Sequence, residues 1–280
     1  MQASLSTWTP PGGALGRILA ETRARVGSDK PERRSDLEKA AAEARNSPPP
    51  PSFAAALRAG ASIAVIAEVK RRSPSRGEIN SALSASAQAE AYAAGGAAAI
   101  SVLTEPLHFG GSLADLAEAR AAVAVPLLRK DFVVERTQLL ETRVAGASAV
   151  LLIARALPPA QLRDLVAEAV AVGVEPMIEV RSESELALAL STAAAVIGVN
   201  ARDLETLVMD PALVVHLLPL VPADRVAVAE SGVAGRADVE WAAARGADAV
   251  LVGSMLSAAP DATAAVRALL GVPRGRRDAH

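Results

Sequence analysis

The sequence has no cysteine, no long apolar run and no excess of charge of either sign. Without cysteine the 280-residue chain can form neither a disulfide framework nor a thiolate metal site. No apolar stretch approaches the roughly 18–20 residues that span a bilayer, and we find no signal peptide at the N-terminus, so we expect a cytoplasmic protein without a membrane partner. The 29 basic and 31 acidic residues give a net charge of −2, which argues against a nucleic-acid partner.

Histidines and aromatic residues are also few. His108, His216 and His280 are scattered without the spacing of metal ligands, so we expect no metal site. The chain has only three Phe, two Trp and one Tyr, so its core must be built from Ala, Val, Leu and Ile. The position of each aromatic residue is therefore informative.

The chain divides into three parts. Residues 1–58 contain helical patterns at 14–26, from Ser35 to about Arg45 and at 52–57, and we expect them to pack on the rest of the chain as a helical extension. Residues 59–270 alternate between strands and helices. Residues 271–280 are predicted to form a disordered basic tail.

The alternation predicts an α/β fold, a closed (β/α)8 TIM barrel with an N-terminal helical extension. Eight strand-then-helix units need a parallel sheet with crossover helices, and about 215 residues suit eight such units. An open doubly wound sheet is the alternative, although its Gly-rich first turn is replaced here by SPSRG. The predicted strands are 63–69, 98–103, 125–130, 148–153, 175–180, 195–199, 225–230 and 248–252. The predicted helices are 84–94, 112–122, 136–145, 158–172, 182–191, 210–218, 233–245 and 261–270.

Charged residues follow the first strand in a pattern that indicates a site. Glu68 and Lys70 are two residues apart and so point to the same face of the strand. A buried Glu and Lys are costly unless they are paired or functional. The polar turn after them, Ser73 to Gly77, completes the pattern of an active site at the carboxyl end of a parallel strand.

The same pattern recurs at other strand ends. In a barrel these ends meet at one mouth, where Lys70, Lys130 and Arg202 would face Glu68, Glu179 and Glu230. Such crowding shifts pKa values towards neutrality and suits acid–base chemistry, and a purely structural ion-pair network is the alternative. The opposite strand ends carry little beyond Ala, Pro and Gly, which strengthens the case for a site at the mouth.

Two further groups of residues suggest the kind of ligand. Ser231-Gly232 and Gly253-Ser254 follow the seventh and eighth strands, where barrels of this kind commonly bind phosphate, and Ser73 could add a hydroxyl. Phe109 and Phe132 lie in mouth loops, with Leu152 nearby, and would form an apolar wall for an aromatic ring.

The strand-end motifs resemble those of one enzyme family, indole-3-glycerol phosphate synthase, over residues 50–265. The similar motifs are IAEVKRRSPSRG, LLRKDF, GASAVLLI, MIEV, IGVNARDLETL, VAESGV and ADAVLVGS, in the order of that family. The chain departs from the family at Ala201, where a second Asn is common, and at His108, where Tyr is frequent.

The resemblance implies a reaction in tryptophan biosynthesis without a metal or an organic cofactor. The substrate would be 1-(2-carboxyphenylamino)-1-deoxyribulose 5-phosphate, which closes to indole-3-glycerol phosphate with loss of carbon dioxide and water. The only partner expected is this phosphorylated small molecule. For the oligomeric state we expect a monomer, with a homodimer as the alternative.

The resemblance also implies residue roles. Lys130 would be the general acid, Lys70 would hold the substrate carboxylate or hydroxyl, and Glu179 would be the base in dehydration, with the division of roles among these three left open. The residues expected to orient substrate and lysines are Glu68, Asn200, Arg202 and Glu230. The residues expected to bind phosphate are Ser73, Ser231, Gly232, Gly253 and Ser254, and those expected to line the ring pocket are Phe109, Phe132 and Leu152.

Two other functions are compatible with parts of this pattern. One is another phosphate-binding barrel, such as phosphoribosylanthranilate isomerase, which would use a Cys and an Asp as its acid–base pair. The absence of cysteine counts against it. The other is a non-catalytic barrel scaffold, which would be expected to lack one or more of the mouth charges.

Overall fold

Eight parallel strands close into a barrel in the computed structural model, which describes residues 8–27, 31–46, 48–275 and 277. Each strand pairs with its neighbours in sequence, and the first pairs with the last, so the (β/α)8 prediction is confirmed and the open sheet is excluded. The strands are β1 (Ala64–Val69), β2 (Ala99–Leu103), β3 (Leu127–Lys130), β4 (Ala149–Ile153), β5 (Glu175–Val180), β6 (Val196–Asn200), β7 (Val226–Glu230) and β8 (Ala249–Val252).

Helices surround the barrel between the strands. Gly96 and Gly146 follow helices with positive φ angles of 95° and 78°, which glycine adopts at little cost. Among the described residues no helix is both long and apolar enough to cross a lipid bilayer. The barrel helices are α4 (Ala85–Gly95), α5 (Leu113–Ala122), α6 (Arg136–Val144), α7 (Pro159–Ala171), α8 (Glu183–Leu190), α9 (Pro211–Leu217), α10 (Arg236–Ala243), α11 (Ser254–Ser257) and α12 (Ala262–Arg267), with single 3₁₀ turns at Ala154–Ala156 and Leu218–Leu220.

Two short elements at the mouth were not predicted. Arg72–Ser73 and Gly77–Glu78 pair as a small antiparallel hairpin within the loop after β1, and α11 forms directly after β8. Both are too short to show a hydrophobic period, which explains why the sequence pattern missed them.

Three helices form the N-terminal extension: α1 (Gly13–Gly27), α2 (Pro31–Ala44) and α3 (Phe53–Arg58). Helix α2 begins at Pro31, not at Ser35 as the sequence pattern suggested, because proline is favourable in the first turn of a helix. It packs along α6, where Arg33 pairs with Glu141 at 2.6 Å.

The extension reaches both ends of the barrel. Helix α1 lies at the mouth, where Ala14 N donates to Glu205 O at 2.9 Å. Helix α3 lies at the opposite end, where the Glu175 carboxylate accepts hydrogen bonds from Phe53 N (3.0 Å) and Ala54 N (2.8 Å). This carboxylate satisfies two N–H groups that a helix N-terminus would otherwise leave unpaired.

The amino ends of the strands are more charged than expected. Besides Glu175 on β5, Asp248 before β8 accepts hydrogen bonds from Ala227 N (2.8 Å) and Arg277 Nη2 (2.5 Å). Arg274 also lies 3.7 Å from the Asp248 carboxylate. The expectation of an uncharged amino end was therefore wrong, because these acids bind the extension and the C-terminal segment.

The C-terminal segment is ordered where the structure describes it. Val272 is buried, Pro273 pairs with Ser62, and Arg274 donates to Leu57 O at 2.9 Å. The prediction of disorder is wrong for residues 271–275 and 277, because arginines that suggested a solvated tail bond to Asp248 and to backbone carbonyls. Residues 276 and 278–280 lie outside the described part of the chain.

We predict that Arg277→Ala lowers the free energy of unfolding by about 1–3 kcal/mol, because Asp248 loses a charged hydrogen-bond partner. Urea denaturation followed by circular dichroism measures the change. Arg163→Ala, at an exposed position of α7, is the matched control and should change stability by less than about 0.5 kcal/mol. Equal stability of the two variants would contradict a structural role for the C-terminal segment.

Candidate active site

A cavity of about 510 Å³ opens at the carboxyl ends of the strands, beneath α1. With one exception, every residue predicted for the site lines it. The exception is Leu152, which is fully buried on β4, whereas its neighbours Leu151 and Ile153 face the cavity. Alternate residues of a strand point to opposite sides, so the assignment of Leu152 was wrong by one position. The lining residues that had been predicted are Glu68, Lys70, Ser73, Phe109, Lys130, Phe132, Glu179, Asn200, Arg202, Glu230, Ser231, Gly232, Gly253 and Ser254.

Lys130 occupies the centre of the charged wall. Its Nζ lies 2.6 Å from Glu230 Oε2 and 3.4 Å from Glu179 Oε2, and both carboxylates are almost fully buried. Burial alone would lower the pKa of Lys130, but the negative charges of Glu230, Glu179 and Glu68 outweigh it and raise the pKa. Lys130 is therefore a cation in the free protein, and its pKa moves away from neutrality, not towards it as the crowding of charges had suggested.

Glu230 is the carboxyl group most affected by this crowding. Burial raises its pKa to about 7; Lys130 opposes the rise and Glu179 adds to it. Its Oε1 is buried without a hydrogen-bond partner in the described part of the chain. The Glu230 carboxylate also explains why residue 198 on the adjacent strand is glycine, because a Cβ there would lie 2.1 Å from Glu230 Oε1.

A second ion pair joins Lys70 to Glu68, with Nζ 2.9 Å from Oε1. Ser257 of α11 fixes this strand end, since its hydroxyl donates to Glu68 O at 3.0 Å and accepts from Lys70 N at 3.2 Å. The hydroxyl of Tyr92, the only tyrosine of the chain, donates to the same Glu68 carbonyl at 3.2 Å. Gly253 lies so close that a Cβ would be 2.3 Å from the Glu68 carboxylate.

Asn200 connects the acid–base groups to the loop after β7. Its Nδ2 donates to Glu179 Oε1 at 3.0 Å, and its Oδ1 accepts from Ser231 Oγ (2.8 Å) and Arg202 N (2.9 Å). These bonds fix the orientation of the amide and leave Glu179 with a defined donor on one oxygen. The Ser231 hydroxyl, which was predicted to bind phosphate, thus already donates a hydrogen bond to Asn200.

The loops after β7 and β8 face the cavity with backbone groups. Ser231 and Gly232 have positive φ angles of 67° and 88°, which form a tight turn after β7. Ser73 Oγ accepts from Arg76 N at 3.2 Å, whereas the Ser254 hydroxyl has no protein partner in the described part of the chain. Ser254 is therefore the predicted phosphate-binding serine whose hydroxyl is available to a ligand.

Cations lie on the same side of the cavity. Arg202 donates from Nη1 to Leu207 O at 2.9 Å, and burial, with a smaller contribution from the nearby positive charge of Arg76, lowers its pKa. Arg76 also lines the cavity but was not predicted as a site residue. Like charges close together in a cavity favour the binding of an anion.

The opposite wall is apolar. The rings of Phe109 and Phe132 pack with centroids 6.1 Å apart and an interplanar angle of 41°, a tilted arrangement that aromatic pairs prefer. Leu151 extends the wall from β4, and Ile18 covers it from α1. The two phenylalanines are placed together as the sequence predicted.

Buried charges hold the loop that carries Lys130 and Phe132. Arg129 Nη2 donates to Asp131 Oδ2 at 2.9 Å, and Asp131 Oδ1 accepts from Phe132 N at 2.8 Å. Thr104 Oγ1 donates to Asp131 Oδ2 at 2.7 Å, which ties β3 to β2. The residues on either side of Lys130 therefore position it, a role that the spacing of charges in LRKDF did not reveal.

Helix α1 is fastened across the cavity at two places. At one end Gly12 N donates to Glu205 Oε2 at 2.8 Å. Near the middle of the helix, Glu21 Oε2 lies 2.6 Å from Nε2 of His108, the residue before Phe109. His108, one of the two residues at which the chain departs from the family pattern, thus helps to hold α1 over the cavity.

Comparison with known proteins identifies the family. The family model for indole-3-glycerol phosphate synthase matches residues 15–269, which is most of the chain. The chain belongs to the indole-3-glycerol phosphate synthase family. Family membership favours this function over the isomerase and the non-catalytic scaffold.

Named relatives in this family cover most of the chain. An indole-3-glycerol phosphate synthase of a Nocardioides species is 51% identical over 224 residues, which cover 80% of this chain and 84% of the relative. The indole-3-glycerol phosphate synthase 2 of Streptomyces coelicolor is 46% identical over 260 residues, which cover 92% and 99%.

Solved structures with lower identity share the fold alone. The 3-hexulose-6-phosphate synthase of Salmonella typhimurium superposes with a TM-score of 0.59 at 14% identity, covering 74% of this chain and 96% of that one. The thiamine phosphate pyrophosphorylase of Pyrococcus furiosus gives a TM-score of 0.55 at 16% identity, covering 74% and 93%. In this chain no group of three or more His, Asp or Glu residues within the described ranges could hold a metal ion.

We predict that Glu230→Gln flattens the pH dependence of stability. Because the native pKa of Glu230 is raised from 4.5 to about 7, the folded state binds more protons than the unfolded state between these values. The stability that Glu230 contributes through this difference in proton binding is present below pH 4.5 and is lost as pH rises through 7. The free energy of unfolding changes by no more than about 1.4 kcal/mol per pH unit. Glutamine removes this titration.

The measurement is a series of urea denaturations between pH 5 and 8. The difference in unfolding free energy between wild type and Glu230→Gln should decrease across this range. Glu240→Gln, at an exposed position of α10, is the control and should run parallel to wild type. A parallel curve for Glu230→Gln would show that Glu230 titrates in its ordinary range.

Proposed function

We propose that this protein is an indole-3-glycerol phosphate synthase that uses Lys130 as its general acid. The enzyme converts 1-(2-carboxyphenylamino)-1-deoxyribulose 5-phosphate to indole-3-glycerol phosphate, carbon dioxide and water. The observation that carries the proposal is the Lys130 ammonium between Glu230 and Glu179, in a cavity that is also lined by Phe109 and Phe132 and by the turns after β7 and β8. The proposal needs no metal or organic cofactor.

The shape of the cavity supports one orientation of the substrate. The anthranilate ring would pack on Phe109, Phe132 and Leu151, and the phosphate would bind to backbone N–H groups of Gly232 and Gly253 and to the Ser254 hydroxyl. The carbonyl carbon then lies between these ends, beside the charged wall. Binding energy from both ends holds the reacting atoms together, which supplies part of the rate enhancement.

Ring closure would need an acid at the carbonyl oxygen. The ring carbon that bears the carboxylate attacks the carbonyl carbon, and Lys130 donates its proton to the oxygen as negative charge develops there. Glu230 and Glu179 keep Lys130 charged before the reaction. Loss of carbon dioxide then returns the bond electrons to the ring and restores its aromaticity.

Dehydration would use Lys70 and Glu179. Glu179 accepts a proton from the carbon next to nitrogen, and Lys70, held by Glu68, donates a proton to the leaving hydroxyl. Asn200 fixes the Glu179 carboxylate for this step, and Arg202 and Arg76, on the side of the β7 and β8 loops, would face the substrate phosphate. The roles of Lys130 and Glu179 are those expected from the family resemblance, which had Lys70 hold the substrate carboxylate or hydroxyl.

Two properties outside the cavity stay predictions. We propose that the protein is a monomer, with a homodimer as the alternative, and that it acts in the cytoplasm. The family supports a soluble biosynthetic enzyme that takes a phosphorylated small molecule.

We predict that Lys130→Ala lowers kcat by about 10²–10⁴-fold, the usual contribution of general acid catalysis. The purified protein is mixed with substrate in the presence of EDTA, and the indole fluorescence of the product is followed. Lys39→Ala, at an exposed position of α2, is the matched control and should have wild-type activity. No product from folded wild type would refute the proposed reaction, whereas near-normal kcat in Lys130→Ala would refute only the role of Lys130.

We predict that Ser254→Ala raises KM by about 10–100-fold with little change in kcat, since a hydrogen bond to a charged phosphate is worth about 1.5–3 kcal/mol. The phosphate is remote from the reacting carbons, so its loss weakens ground state and transition state alike. Steady-state kinetics measure the effect. Ser191→Ala, at an exposed position after α8, is the control. A wild-type KM would place the phosphate elsewhere.

A further inference from the structure

A second, smaller cavity lies behind Glu179. Its volume is about 210 Å³, and six of its nine lining residues are charged. It lies among the loops after β4, β5 and β6, with Leu15 of α1 above it. The charged lining residues are Arg155, Glu179, Arg181, Glu185, Asp203 and Glu205.

Glu179 separates this small cavity from the active-site cavity. Ile153, Glu179 and Leu204 line both, and of these three only Glu179 can carry a proton. Exposure increases away from it: the Glu179 side chain is 3% exposed, that of Arg155 30% and that of Asp203 36%. The small cavity is thus a polar path that leads from the surface to a buried carboxylate.

The proton balance of the proposed reaction indicates what this path could supply. Lys130 donates one proton to the carbonyl oxygen and Lys70 donates a second to the leaving hydroxyl, while Glu179 recovers only one, from carbon. The carboxylate leaves as neutral carbon dioxide and takes no proton with it. Each turnover therefore consumes one proton, which must come from solvent.

The active-site cavity itself is poorly placed to take up this proton during a turnover. Helix α1 covers it with Ile18 and is fastened on both sides, by Glu205 and by the Glu21–His108 pair. A bound substrate would fill the space between Lys130 and the mouth. Glu179 also lines the small cavity, which the substrate would not fill and whose lining includes the partly exposed side chains of Arg155 and Asp203.

We propose that the small cavity delivers the consumed proton to Glu179, with Glu185 as the relay. The protonated carboxyl of Glu185 gives its proton through water to the Glu179 carboxylate, and Glu185 regains one from solvent past Asp203. Glu179, 3.4 Å from Lys130 Nζ, then passes the proton on and restores the ammonium group. The proton that Glu179 takes from carbon in dehydration restores the second lysine, Lys70. Two protons are donated, one is recovered from carbon and one enters from solvent, so the turnover balances without another reactant. This proposal rests on the proposed function.

The surroundings of Glu185 favour its protonated carboxyl more than water does. It lies in the first turn of α8, and burial raises its pKa, with a smaller contribution from the negative charge of Glu179. Arg181 and Arg155 oppose this rise. The other charged groups that line the cavity, Asp203 and Glu205, are acids towards the surface.

Glu185 also stabilises the start of α8, and an experiment on the relay must separate these two roles. Its Oε2 accepts from Arg181 N at 2.7 Å, and its own N–H donates to Ser182 Oγ at 3.2 Å, so the two residues cap α8 together. Glu185→Gln keeps an oxygen that can accept from Arg181 N but cannot relay a proton. Ser182→Ala removes one capping bond and leaves all the acids in place, which makes it the matched control.

The test follows proton uptake directly. Enzyme in excess is mixed with the carboxyphenylamino-deoxyribulose phosphate in weak buffer with a pH indicator, and product is followed by indole fluorescence. Wild type should take up one proton per product. In Glu185→Gln, uptake after the first product should be slower by at least about tenfold, and small acids such as imidazole should restore it; Ser182→Ala should match wild type.

Each outcome decides a different point. Uptake at the wild-type rate in Glu185→Gln, or equal slowing in Ser182→Ala, would overturn the relay. Product formation without net proton uptake by wild type would overturn it as well. Absence of any product from wild type would instead refute the proposed function on which the relay rests.

Discussion

The arrangement of the site depends on one buried interaction, the Lys130 ammonium between the carboxylates of Glu230 and Glu179. An uncompensated charge in the interior costs several kcal/mol, so this lysine is stable there only while its partners remain. The barrel supplies them from strands that are distant in sequence, since Lys130 and Glu230 are 100 residues apart. Correct closure of the sheet is therefore a condition for the charge balance, and the charge balance a condition for acid catalysis.

The same constraint explains several small residues. Three carboxylates and two lysines crowd one barrel end, and glycine stands at 198 and 253 because a Cβ there would be 2.1 Å and 2.3 Å from a carboxylate oxygen. These glycines have no need of a special backbone angle; they are required by the neighbouring strand. Ser257 and Tyr92, which bond to the backbone of β1, hold the second ion pair in register with the first.

Much of the fold and of the site could be predicted from the sequence, because both follow simple periodicities. Strand-then-helix alternation predicted the closed barrel, and the strand period of two placed Glu68 and Lys70 on one face. Because alternate residues of a strand face opposite sides, an error of one residue moves the prediction to the other face. Leu152 was predicted to line the cavity, whereas its neighbours Leu151 and Ile153 line it. Apolar runs such as VLLI show no alternation from which the face could be read.

Contacts between distant segments could not be predicted in this way. Nothing local to Glu175 or Asp248 indicates that one caps α3 and the other binds Arg277, because such pairs form only when the chain closes. The basic composition of the C-terminal segment therefore suggested a solvated tail. Arg129 and Asp131 were overlooked for a similar reason: their partners Thr104 and Glu141 come from other elements.

Closure of the active site and its need for a proton are linked. A cover such as α1 keeps water from the reacting carbons and strengthens the electrostatic interactions around Lys130, yet a reaction that loses a carboxylate as carbon dioxide must regain a proton from solvent. An enzyme that opened for this purpose would release its intermediate before dehydration. A buried carboxylate with one face towards the substrate and the other towards a separate polar cavity resolves the conflict. In this chain Glu179 has that position, since it lines both cavities and lies within reach of Lys130.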